Sequence, residues 1–144
     1  MNLNFDKESL DISSKKVITG VIALKIKNDF YFPEKNWNDS IVVLLNSWIQ
    51  NLEQILSNQT SEVLCNFFDG PFSFMIIKKD DRHEIKFFLN KKIIGTHNIN
   101  FDEFGKNMAA ICQEVIKETK FRNWNNDDVN KLEYSLEKIL PYFL

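Results

Sequence analysis

The segment EVLCNFFDGPFSFMIIKKDDRHEIKFFLNKKIIGTHNI, residues 62–99, decides the fold class. It reads as three strands and a weaker fourth. Glu62 to Phe68 is the first. Asp69-Gly70 is a two-residue hairpin signal, because glycine takes a positive φ without steric cost. Pro71 opens the next strand, where a missing N–H is tolerated, and that strand runs from Phe72 to Lys79. Asp80-Asp81-Arg82 turns the chain and His83 to Leu89 returns. Lys91 to Ile99, which contains Gly95, is the fourth strand. Consecutive strands joined by tight turns pair antiparallel.

On the N-terminal side, Trp37 to Ser57 predicts a helix. Ile41, Leu44, Leu45, Trp48, Leu52, Ile55 and Leu56 recur at i, i+3, i+4 spacing and make one apolar stripe. Asn38 reads as its N-cap, with Asp39 in the first turn at the positive end of the helix dipole. Val17 to Lys27 reads as a strand with Ile18, Ile22, Leu24 and Ile26 on one face. Asn28-Asp29 is a turn, Phe30 to Phe32 is a short strand ending at Pro33, and residues 1–14 read as a polar lead-in.

On the C-terminal side, Asn100 and Glu103 resemble a capping box. The helix after them should run to about Thr119 and bury Phe104, Met108, Ile111, Cys112 and Val115. A last helix is expected from Asn126, with Asp127 and Asp128 in its first turn and Val129, Leu132, Leu136 and Ile139 inward. Pro141 stops it, and Tyr142-Phe143-Leu144 is an apolar tail expected to pack back. The expected architecture is one α+β domain over residues 1–144, in the order β-α-β-β-β-(β)-α-α. It has a mainly antiparallel sheet of four to five strands and three helices packed mostly on one face.

Chemistry is hard to find in this chain. Hydrophobic residues make 44% and charged residues 26%, a balance that argues against disorder. The net charge of -2 argues against a phosphate-backbone binder, so no nucleic-acid partner is expected. His83 and His97 lie in different strands without metal-ligand spacing, so no metal is expected. Cys65 and Cys112 sit inside apolar elements and read as reduced, buried thiols rather than nucleophiles. The four glycines stand alone, so no phosphate-cradling loop is present. Asp80-Asp81 and Asp127-Asp128 are accounted for by turn chemistry and helix-dipole compensation. Phe67, Phe72, Phe74 and Phe87 are expected on the helix-covered sheet face rather than as a base-stacking platform. No catalytic residue and no cofactor is expected, and the chain reads as a non-enzyme. The stretch Ile41 to Leu56 is too polar to span a membrane, so no membrane partner is expected. The N-terminus lacks the apolar core of a signal peptide, so the expected location is cytoplasmic.

Two surface features remain. From Asn36 through Ile77 there is no Lys or Arg, while Asp39, Glu53, Glu62 and Asp69 are present. That asymmetry reads as a mildly acidic solvated face or as a surface for a basic partner. Leu64, Phe68, Met75, Ile77 and Phe88 alternate away from the helix-facing set. They form an exposed apolar patch unless the N-terminal segment or the C-terminal tail covers them.

The segment Phe32-Pro33-Glu34-Lys35-Asn36-Trp37-Asn38-Asp39, the helix with Trp48, and Phe67-Phe68-Asp69-Gly70-Pro71-Phe72 together resemble a pattern of small bacterial proteins. It consists of an F-P-x-x-x-W-x-D start, a Trp-containing helix and an F-x-D-G-P-[FY] hairpin. Some of those proteins resemble immunity proteins of polymorphic or contact-dependent growth inhibition toxin systems. The match spans about residues 30–77, and Trp37, Asp39, Asp69 and Gly70 fit it. The resemblance implies a cytoplasmic, non-enzymatic immunity protein that binds a cognate toxin domain and occludes its active cleft. A nuclease, with a basic cleft, would suit the lysine-free stretch. The partner-binding candidates are Trp37, Asp39, Asp69, Asp80, Asp81 and Trp124, with carboxylates steering association and aromatics holding it. The competing readings are a homo-oligomeric structural or adaptor domain, with a homodimer as partner, and a small-ligand-binding α+β domain.

Overall fold

The computed structural model describes residues 1–143. In chain order it contains β1 (Asn2–Ile12), β2 (Ile18–Lys27), β3 (Phe30–Phe32), β4 (Asn38–Asp39), α1 (Ile41–Leu56), β5 (Glu62–Asn66), β6 (Phe72–Lys78), β7 (His83–Leu89), β8 (Lys92–Ile99), α2 (Phe101–Phe121) and α3 (Asp127–Ile139). A 3-10 turn over Leu140–Phe143 follows, and Leu144 lies outside the described residues. The α+β class and the antiparallel pairing are as the sequence predicts. The strands, however, form two four-stranded sheets rather than one sheet of four to five.

The second sheet, in the order β5-β6-β7-β8, is the segment that decided the class. Alternation places Val63, Cys65, Phe74, Ile76, Ile85 and Phe87 on its inner face, where all are buried. α1 covers that face with Trp48, whose ring lies 4.9 Å from Phe74 and 5.1 Å from Phe67. Phe104 of α2 approaches Phe74 at 6.3 Å. Each aromatic contact is edge-on, the arrangement that ring quadrupoles favour.

The first sheet runs β1-β2-β3, with β4 also paired to β2. The polar lead-in expected over residues 1–14 is instead the eleven-residue strand β1. Its alternation is disguised because the register shifts between Asp6 and Asp11. Leu3 and Phe5 face the core before the shift, and Leu10 and Ile12 after it, so odd positions give way to even ones. Leu3 lies opposite Leu24, Phe5 opposite Ile22, and Ile12 opposite Ile18.

The helix after this sheet begins at Ile41, not Trp37. Asn38 and Asp39 pair with Val21 and Gly20 as strand, so neither caps the helix nor sits in its first turn. The two later helix starts match their sequence signals. Asn100 Oδ1 accepts from the Glu103 N–H at 3.1 Å, and Asn126 Oδ1 from the Val129 N–H at 2.9 Å. The C-terminal turn packs back as expected, with the Phe143 ring against Gly105, where a β-carbon would collide with it. One buried cluster runs from Leu3 through α1 and both sheets to Ile139.

Candidate functional site

Three of the predicted binding residues meet at the start of α1, and their chemistry is internal. Asp39 is 2% exposed. Its Oδ2 accepts from Trp37 Nε1 at 3.0 Å and from the N–H groups of Phe68 and Asp69 at 3.0 and 3.2 Å. Its Oδ1 accepts from the Ser40 N–H at 2.7 Å. Two of those donors flank β4 and two lie in the β5–β6 turn, so this carboxylate, on β4, ties that turn to the first sheet. A carboxylate so enclosed is unavailable to a partner, which removes Asp39 from the contact set.

Trp37 is half-buried, with its ring edge-on to Phe67 at 6.2 Å and to Phe72 at 5.2 Å. Gly70 sits on that ring with φ +124°, a conformation that side chains other than hydrogen resist. A β-carbon at Gly70 would lie 2.9 Å from the indole. The W-x-D and D-G-P signals therefore meet as one framework joint. Asp69 alone of its acids is exposed.

The other candidates lie elsewhere. Asp80 and Asp81 are exposed in the β6–β7 turn, at the opposite end of β6 from Gly70. Arg82 pairs with Asp81 at 3.3 Å and with Glu84 at 3.4 Å. Lys79 hydrogen-bonds Glu84 at 3.1 Å, which holds that carboxyl below its usual range. Trp124 follows α2 and is half-buried, with the Arg122 guanidinium 5.0 Å from its ring centre. Of the other acids of the lysine-free stretch, Glu62 lies on β5 and Glu53 on α1.

The outer face of the second sheet carries several exposed apolar side chains. Cross-strand register places Leu64, Met75, Lys86 and Thr96 in one row and Glu62, Ile77, Glu84 and Asn98 in the next. Phe88 and Ile93 are opposite each other in a third row. Leu64 is 44% exposed, Phe68 46% and Ile93 55%, with Met75, Ile77 and Phe88 half-buried. The N-terminal strand lies in the first sheet and the C-terminal turn lies against α2. The two segments expected to cover this face are thus placed elsewhere.

Both cysteines are free and buried. Burial pushes the Cys65 thiol up to about 12, against a smaller opposing effect of Asn51, and pushes Cys112 up as well. Both are therefore protonated at neutral pH. His83 stacks on Phe101 at 4.4 Å beside an open groove of about 560 Å³ that also touches Arg82 and Tyr142. His97 meets the edge of Phe87 at 5.7 Å. Among the described residues no helix is long and apolar enough to cross a membrane. Comparison with family models, with characterised proteins and with solved structures gives no match.

The outer-face patch was legible in the alternation of residues 62–89. The buried role of Asp39 was not, because its donors lie about thirty residues away at Phe68 and Asp69.

Proposed function

We propose that this chain is a non-catalytic binding protein of the immunity type, which neutralises a cognate toxin domain by covering it with the outer face of its second sheet. The observation that carries this reading is the uncovered outer face of the second sheet, where Leu64, Met75, Ile77, Phe88 and Ile93, with Phe68 just beyond β5, stand among Glu62, Glu84, Lys86, Thr96 and Asn98. Contiguous apolar surface on a folded chain marks an interaction site, and aromatic residues within it supply most of the binding energy. The arrangement favours apolar docking over electrostatic steering. Asp39 is enclosed, which leaves the exposed Asp69, Asp80 and Asp81 as rim charges. Rim charges act on association rate more than on affinity.

The test is whether the neighbouring reading frame encodes a toxin domain that this chain co-purifies with and protects growth against. Phe88→Asp and Leu64→Asp should abolish binding while circular dichroism stays unchanged. Asp69→Asn with Asp80→Asn should slow association a fewfold and leave dissociation unchanged. Full protection by both outer-face variants would remove this face from the mechanism.

A further inference from the structure

The second sheet has two edges, and the chain treats them differently. Backbone alternation decides which groups point outward. Lys78 N–H donates to Ser61 O at 2.7 Å and Phe67 N–H to Phe72 O at 3.1 Å. Odd-numbered residues of β5 therefore bond to β6, and Glu62, Leu64 and Asn66 turn their backbone groups away from the sheet. All three outward carbonyls receive a donor. Thr60 Oγ1 reaches Glu62 O at 3.1 Å, Asn51 Nδ2 reaches Leu64 O at 2.9 Å, and Trp48 Nε1 reaches Asn66 O at 2.9 Å. The outer edge of β1 is closed in the same manner. Asn107 Oδ1 accepts from the Leu3 N–H at 2.6 Å, and Arg122 donates to Leu10 O at 3.1 Å.

The same alternation carried across β6 and β7 bonds Gly95, His97 and Ile99 to β7 and turns Thr96 and Asn98 outward. Among the described residues nothing bonds to those outward groups. From Ile93 to Ile99 the strand has no charged residue and no proline, and Ile93 and Ile94 are 55% and 56% exposed. An open edge with neither charge nor proline is a template for another strand.

We propose that β8 pairs antiparallel with β8 of a second copy, about a two-fold axis at Thr96, joining the two second sheets into one of eight strands. The edge is complementary to itself. With Thr96 opposite Thr96, the imidazole of each His97 stands beside Gly95, which has no side chain to obstruct it. The register of β8 on β7 shifts at Ile94, which has no partner there, so the regular run of the contact is Gly95 to His97 with Asn98 beside it. No like charges face one another along the run, a juxtaposition that would destabilise strand pairing. A closed two-fold contact uses up both edges and ends in a dimer rather than a fibre. It leaves the outer sheet face free and does not rest on the toxin reading.

The test is light scattering of the intact chain across low to high micromolar concentration. The expected mass is twice 17.0 kDa. Thr96→Pro removes an N–H that the sheet does not use, and Thr96→Lys sets two ammonium groups on the axis. Each should halve the mass. If Thr96→Pro fails to fold, Thr96→Lys, on an exposed position, decides the matter. A single-chain mass for the native protein at every concentration overturns the proposal. So does a doubled mass retained by folded Thr96→Lys. Leu64→Asp, on the strand farthest from β8, should lose toxin binding and keep the doubled mass, so the two readings fail independently.

Discussion

Along β5, every outward carbonyl of the strand meets a side chain of α1 or of the turn before the strand. Along β8, three strands away in the same sheet, the outward groups of Thr96 and Asn98 meet none. The two edges share a sheet and differ in their neighbours. α1 runs beside β5 and lends it the indole of Trp48 and the amide of Asn51. β8 is followed at once by α2, which starts at Phe101, covers the inner face and closes β1 instead. Edge protection is therefore a by-product of helix placement, and the strand farthest from a covering helix remains open to association.

The closed side can be broken, and its largest contributor is Trp48. The side chain is fully buried against Phe67 and Phe74, so Trp48→Ala should cost about 4 kcal/mol, read by denaturant unfolding. Asp39→Ala follows. It leaves the Trp37, Phe68 and Asp69 donors without their acceptor and should cost about 3 kcal/mol, with faster proteolysis at the β5–β6 turn. A partner-contact role alone would leave stability unchanged, so this variant separates the framework role from the binding role.

The edge bonds themselves are smaller. Trp48→Phe keeps most of the ring and deletes the bond to Asn66 O, and Asn51→Ala deletes the bond to Leu64 O. Each should cost about 1 kcal/mol, and the pair together should raise aggregation, because two of the three outward carbonyls of β5 then lack a donor.

The smallest effect lies near β8 and is read with pH. Burial, with Lys78 adding to it, lowers the His83 pKa below its ordinary 6.5. The unfolded chain then takes up the proton first as pH falls. The contribution of the neutral ring is complete above pH 6.5 and declines as pH drops from there through the folded-state value. His83→Gln should flatten the stability profile in that window only. An unchanged slope would place the titration elsewhere.

Much of the second sheet could be read directly from residues 62–99, because hairpin pairing is local and β5, β6 and β7 alternate without interruption, whereas β8 shifts register at Ile94. β1 escaped because its register shift moves the apolar positions from odd to even, which erases the period-two signal. Asn38-Asp39 escaped for a different reason. A polar pair before an apolar stripe signals a helix cap in most chains, and here the pull on Asp39 comes from the distant β5–β6 turn. Among the candidate binding residues, the structure joins Trp37, Asp39 and the backbone of Asp69 in one joint. Only Asp69 keeps its side chain on the surface.

The α+β class, the antiparallel hairpins, the two capped helix starts and the apolar outer face all follow from residue order. Each depends on neighbours within a few positions, where spacing and turn chemistry act directly. The division into two sheets, the enclosure of Asp39 and the contrast between the β5 and β8 edges were decided only in three dimensions. Those features depend on which distant segment supplies a donor, an acceptor or a covering side chain. Such pairings are selected by the packing of the whole core.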